Sequence, residues 1–257
     1  MNGVPDTPPS TFKVRIDNVI HETYFDSYPQ GPSLFVPYLV MSGLPEGEKL
    51  LAFGGYYSPE NPNPDGSDYT FIHDCADDEL IQGWDWTQEL IYSAGWIDLP
   101  IPGKTYYFKG VVRTNKAVYY SNTVTINTDG LPGYTPGPQD RVLPVVFHVM
   151  PRKDGTYPHP YFFDEMLACA NRLYRNVWPL PGLADAGIRF VPATHTPDGT
   201  ALSTPGIHYL DERYELDRDI SYEELRQWVG DNLWEMTEVI NVWVSPFIND
   251  DIVSEGT

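Results

Sequence analysis

Cysteine is nearly absent from this chain. Cys75 and Cys169 are the only two in 257 residues, one in each half, too few and too far apart for a disulfide framework or a Cys-rich zinc site. Both read as free, partly buried thiols that do not report a compartment. Basic residues are scarce as well: 16 Lys and Arg stand against 36 Asp and Glu, a formal charge of -20. Nucleic acids and anionic membrane surfaces are recognised through clustered Lys and Arg, so neither is expected as a partner. The acidity itself reads as solubility. Long apolar runs are missing too, and no stretch has the length of a transmembrane segment or the make-up of a signal h-region.

What the chain does have is short apolar runs framed by turn residues. The second half is organised around residues 141–150, Arg-Val-Leu-Pro-Val-Val-Phe-His-Val-Met, which read as a strand buried on both faces. Two later runs share that character, 187–194 (Gly-Ile-Arg-Phe-Val-Pro-Ala-Thr) and 239–244 (Val-Ile-Asn-Val-Trp-Val). A helix over 161–178 lies between the first two, with Phe163, Met166, Leu167, Ala170, Leu173, Tyr174 and Val177 on one face and Pro179 and Pro181 ending it. A capping box, Ser221 with Glu224, opens a second helix through Leu225, Trp228 and Val229. Strands alternating with helices predict an α/β or α+β domain with a mixed sheet over 141–257.

The first half is read as β. Phe12, Val14 and Ile16 alternate with polar residues, and further strands are expected at 34–40, 50–57, 67–73, 103–114 and 117–127, with turn clusters such as 58–66 between them. This pattern predicts a β-sandwich over 11–129. Residues 1–10 form a disordered, Pro-rich leader, and 130–140 (Gly-Leu-Pro-Gly-Tyr-Thr-Pro-Gly-Pro-Gln-Asp) form a Pro/Gly linker.

Few residues present themselves as chemistry. Asp74, Asp77, Asp78 and Glu79 surround Cys75, and Asp65-Gly66-Ser67-Asp68 resembles part of a calcium loop, but neither supplies about six oxygens at a set spacing. Both are read as solvated loop. Trp84, Trp86 and Trp96 suit either an exposed platform for sugar or peptide or a cap on the sandwich core. His21 and His73 are read as structural, and His148, inside a strand, as a satisfied core histidine. His195 and His208 lie near loops and could meet a metal adventitiously. Glu212, Glu215 and Asp217 are a solvated face, and no acid/base pair stands out.

Two resemblances add to this. Residues 102–112 leading by a short turn into 118–126 resemble the last two strands of a fibronectin type III-like (Ig-like) domain of the kind found in Bacteroidetes surface proteins, with Tyr106 at the corner position, its hydroxyl bonded back to the backbone near the preceding turn. From 141 to 247, the opening strand, the helix with Ala-Asn-Arg-Leu-Tyr-Arg at 170–175, the run at 187–194, Thr-Pro-Asp-Gly at 196–199, Gly-Ile-His at 206–208 and the run at 239–244 are similar to the N-terminal part of pappalysin-like metzincin zinc proteases. The resemblance implies a secreted or outer-membrane lipoprotein peptidase of a Gram-negative bacterium, lipid-anchored in its precursor. Such a peptidase would act on protein or peptide through a zinc-activated water.

The family's metal site is a helix with the pattern HExxHxxGxxH, whose histidines hold zinc and whose Glu is the base. No two of the six histidines here are four apart, and the segment would follow the strand at 239–244. No catalytic, metal or binding residue is therefore carried over. Zinc is expected only in a complete parent and not on this chain. The second expectation, from a different class, is a non-catalytic surface module for binding or adhesion.

Overall fold

The computed structural model describes residues 12–23, 33–98, 100–151, 155–177, 184–211, 229–230, 234 and 239–244. The expected leader 1–10, the Ser221/Glu224 capping box with Leu225 and Trp228 of its helix, Pro179, Pro181, Glu212, Glu215 and Asp217 lie outside the described residues, while Val229 falls in a helical stretch. The chain divides into two units, Met1–Leu131 and Pro132–Thr257, and it is built mainly from strands in several sheets.

The first unit holds β1 (Lys13–Thr23), β2 (Ser33–Ser42), β3 (Leu50–Ser58), β4 (Tyr69–Asp74), helix α1 (Glu79–Gln82), β5 (Leu90–Ser93), β6 (Ile97–Asp98), β7 (Thr105–Thr114) and β8 (Val118–Asn127). They form two antiparallel sheets, β1-β2-β5 with β6 also on β2, and β4-β3-β7-β8. Alternation decides which side chains turn inward. Ile16, Leu39 and Met41 from one sheet and Phe53, Tyr106, Phe108 and Val112 from the other meet in one buried cluster. Gly55 makes room in it, because a Cβ there would lie 2.1 Å from the Phe108 ring. A bulge in β1 between Ile16 and Asn18 is held by Asn122 of β8, whose Oδ1 accepts from the Ile16 N–H at 2.9 Å.

The corner expected at Tyr106 is present as geometry: the ring is fully buried and its hydroxyl accepts from the Ile101 N–H at 2.8 Å. The acidic stretch around Cys75, read as plain loop, contains α1. Asp78 accepts from the N–H groups of Leu80 (2.9 Å) and Ile81 (3.2 Å), the capping role short acids favour. One turn with a single buried residue, Ile81, leaves no periodic trace in a sequence. The short strands β5 and β6 escaped for the same reason.

The second unit holds β9 (Arg141–Val149), α2 (Tyr161–Tyr174), β10 (Ile188–Pro192), β11 (Ile207–Tyr209) and β12 (Ile240–Val244). The mixed sheet expected for 141–257 is not what the described strands form, since β10, β11 and β12 all run parallel to β9. The passage from β9 through α2 to β10 is a crossover, which returns the chain in the same direction. One face of β9 presents Val145, Phe147 and Val149 to Phe163 and Leu167 of α2. Helix α2 ends at Tyr174, four residues short of the expected end, and Asn176 follows with a φ of 47°. The strand expected to be buried throughout is buried only from Val145 onward, while Arg141 and Val142 are exposed.

Two polar devices fix this unit. Asn171, buried on α2, donates to the Phe190 carbonyl (2.9 Å) and accepts from the Phe190 N–H (2.7 Å), standing in for a neighbouring strand on β10. Asp140 pairs with Arg175 and accepts from Tyr134 Oη (2.9 Å) and the Gly137 N–H (2.7 Å), while Arg175 also reaches Asp185 at 3.1 Å. Bonding by the Gly137 amide, then the Tyr134 hydroxyl and the Arg175 charge, holds the Asp140 carboxyl below its ordinary range. The linker is thus tied to the second unit from Tyr134 onward.

Candidate functional site

His195 and His208 are the histidines expected near a metal, and His148 the one expected in the core. His148 on β9 stands in register with His208 on β11 and with Trp243 on β12, so the three side chains form a row across the sheet, on the face away from α2. His148 is fully buried and stacks on Trp243, ring centroids 4.2 Å apart, with Trp234 edge-on at 5.3 Å. Its Nε2 lies 2.8 Å from Asn241 Oδ1 and its Nδ1 lies 3.0 Å from His208 Nδ1.

The protons follow from Asn241. That amide accepts from the Trp234 N–H (3.1 Å) and donates to the carbonyls of Trp234 (3.3 Å) and Val239 (3.4 Å), so Oδ1 must be the atom facing His148. His148 Nε2 therefore carries hydrogen and Nδ1 a lone pair. His208 Nδ1 must then donate, which leaves the lone pair of His208 on Nε2. Burial pushes His148 down to about 4 and lowers His208, whose charged form the Asp211 carboxylate favours in part. With both nitrogens spent, His148 is neither base nor ligand, as a core histidine should be.

The other candidates are spread apart. His21 stacks on Phe35 at 4.6 Å, His73 on Tyr92 at 5.8 Å, and His195 is exposed and paired with Thr194 Oγ1 at 2.9 Å. The calcium-like acids serve their own loop: Asp68 accepts from Asn61 Nδ2 (2.7 Å) and the Asp65 N–H (3.1 Å), and Asp65 from Ser67 Oγ (2.7 Å). Cys75 is buried and its thiol is pushed up to about 12, first by burial and then by Asp74 and Asp78, so it is no nucleophile. Among the described residues no group of three or more His, Cys, Asp or Glu is placed to hold a metal, and no helix is long and apolar enough to cross a membrane.

A concave surface exists elsewhere. A cleft of about 380 Å³ in the first unit is lined by Leu44, Glu48, Lys49, Gln82, Trp86 and Asn115, at the small end of the roughly 300–1,000 Å³ typical of ligand sites. Trp86 is held edge-on by Phe12 (6.1 Å, 84°), and Phe12 in turn by Tyr119 (4.8 Å, 90°). The Glu48 carboxylate is oriented by Thr114 Oγ1 at 2.7 Å and by the Tyr119 hydroxyl at 3.2 Å. Of the three tryptophans singled out in the sequence, Trp86 packs against the buried core of the first unit and also lines this cleft, Trp96 lies against Phe71 at 4.5 Å, and Trp84 is partly exposed. Sequence reading had no means of pairing Trp86 with Glu48 and Asn115, which reach it from separate turns.

No family model matches the chain, and no curated protein matches it significantly. Among solved structures it is similar to a DUF3823 family protein from Bacteroides ovatus ATCC 8483, at 14% identity and a TM-score of 0.31. That match covers 46% of this chain and 55% of the other, so the chain spans about half the length of its structural neighbour. The expected membership of a fibronectin III-bearing, pappalysin-like metzincin is corrected by these findings, since no such protein is among them. Part of the resemblance was carried by recurring apolar runs, which any buried parallel sheet requires.

Proposed function

We propose that this protein is a non-catalytic binding module, in which the first unit is a β-sandwich carrying the ligand cleft at Trp86 and the second is a small α/β scaffold. The observation that supports this reading is a contrast in hydrogen-bonding capacity. Buried His148 has both ring nitrogens bonded inside the protein, while half-buried His208 keeps a lone pair on Nε2. The cleft, in contrast, is open and is lined by Trp86, Glu48, Lys49, Gln82 and Asn115. Sites of this composition orient a small polar ligand through a few placed groups on an apolar wall. The net charge of -20 sets nucleic acid aside as that ligand.

The test is a fluorescence titration of the full chain with a library of neutral saccharides and short peptides. Saturable binding by at least one member, lost in Trp86→Ala, is expected. Binding that Trp86→Ala leaves untouched, or no binding by any member, would contradict the reading.

A further inference from the structure

We infer that the ligand taken by the Trp86 cleft is a neutral saccharide, an inference that rests on the cleft being a binding site. The first argument is the match of donors and acceptors. Asn115 Oδ1 is occupied by the Lys49 N–H at 2.9 Å, which fixes the amide and leaves its NH₂ as the group with donors to offer. Gln82 is fixed the other way round. Its Nε2 donates to the carbonyls of Leu50 (2.6 Å) and Cys75 (2.9 Å), leaving Oε1 as an acceptor. Glu48 is a second acceptor, held in place by Thr114 and Tyr119, and the Lys49 ammonium a second donor. Two donor groups and two acceptor groups around one aromatic plane suit a ring whose hydroxyls each both donate and accept.

Charge narrows the class. Glu48 and Lys49 are the charged residues of the lining, and the Lys116 ammonium lies 3.6 Å from where a Cβ on Gly47, also in the lining, would stand. An anionic ligand would approach against a chain of charge -20. A purely apolar ligand would strip water from four polar side chains without replacing their bonds, a loss that disfavours it strongly. A neutral polyol ring avoids both costs. Its C–H face covers the indole, whose position is set before binding by Phe12, so little side-chain entropy is lost on contact. With one aromatic wall and a small volume, the affinity belongs in the roughly micromolar to millimolar range.

The experiment follows the Trp86 indole N–H and the Asn115 and Gln82 side-chain amides of the full chain by ¹H–¹⁵N correlation. The probes are hexoses, N-acetylhexosamines and their disaccharides, and separately a set of acidic, basic and neutral tripeptides. Saturable shifts of these three groups by at least one sugar are expected. Binding read from the Asn115 and Gln82 amides should weaken at least tenfold in Trp86→Ala and less in Trp86→Phe, which keeps an aromatic face and reports whether the fold is intact. If tripeptides saturate these signals while every sugar is inert, the saccharide inference fails and the binding reading stands. If neither class shifts them, both fail.

Discussion

His148 and His208 face each other across adjacent parallel strands with their Nδ1 atoms 3.0 Å apart. Two such nitrogens attract only if one carries hydrogen and the other does not, and Asn241 decides which. Across this pair the sheet is joined by side chains as well as by its backbone ladder. Neutral His148 is part of the core, with Trp243 stacked against it.

The first prediction concerns those protons. Long-range ¹H–¹⁵N spectra at neutral pH should show His148 as the Nε2–H tautomer and His208 as the Nδ1–H tautomer. Asn241→Leu, which removes the acceptor of the His148 Nε2–H, should destabilise the second unit by about 1–3 kcal/mol. The opposite tautomers would mean that Asn241 does not set the network.

The second concerns pH. His148 sits at about 4 when folded against an ordinary value of 6.5. Between these values the unfolded chain binds a proton that the folded chain refuses. Its contribution is therefore fully present above about pH 6.5, is lost progressively as pH falls towards 4, and does not change further below that. The lowering of His208 acts in the same direction. The whole His148 effect is at most about 3 kcal/mol. Urea unfolding at pH 7.5, 5.5 and 4.5 should show it as a slope that shrinks in His148→Gln. An unchanged slope would show that His148 titrates normally.

The third concerns the corner of the first unit. Tyr106→Phe keeps the buried ring and removes the oxygen that accepts from the Ile101 N–H. The expected cost is about 1–2 kcal/mol in chemical unfolding of the first unit, with binding at the cleft retained. A neutral substitution would mean that water replaces the hydroxyl.

The fourth concerns the edge of β10. Asn171→Ala removes both bonds to Phe190. Amide exchange at Phe190 should accelerate at least tenfold, and the second unit should lose about 1–3 kcal/mol. Protection equal to wild type would show that Asn171 is not what closes this edge.

The alternation of Phe12, Val14 and Ile16 with polar neighbours, and the turn clusters framing the later apolar runs, made the strands of the first unit legible. Length limited the rest: α1 is one turn and β6 two residues, too short for any periodicity. The histidine row was beyond a linear reading for another reason. His208 and Asn241 lie 60 and 93 residues from His148, and only the register of three strands brings them together. Trp86 was visible as a candidate, but its cleft is assembled from separate turns whose meeting no spacing records. The metzincin resemblance joined three apolar runs, which report burial, to the short stretches at 170–175, 196–199 and 206–208, which are common in loops and helices and say little about lineage.

The account turns on the cleft being a place where a ligand is held and released unchanged. Isothermal titration of the full chain with its best-binding library member, followed by mass analysis of the recovered ligand, tests this directly. One site per chain, heat that vanishes in Trp86→Ala, and a ligand recovered intact are expected. A ligand returned cleaved or otherwise altered, or a titration identical in Trp86→Ala, would contradict it.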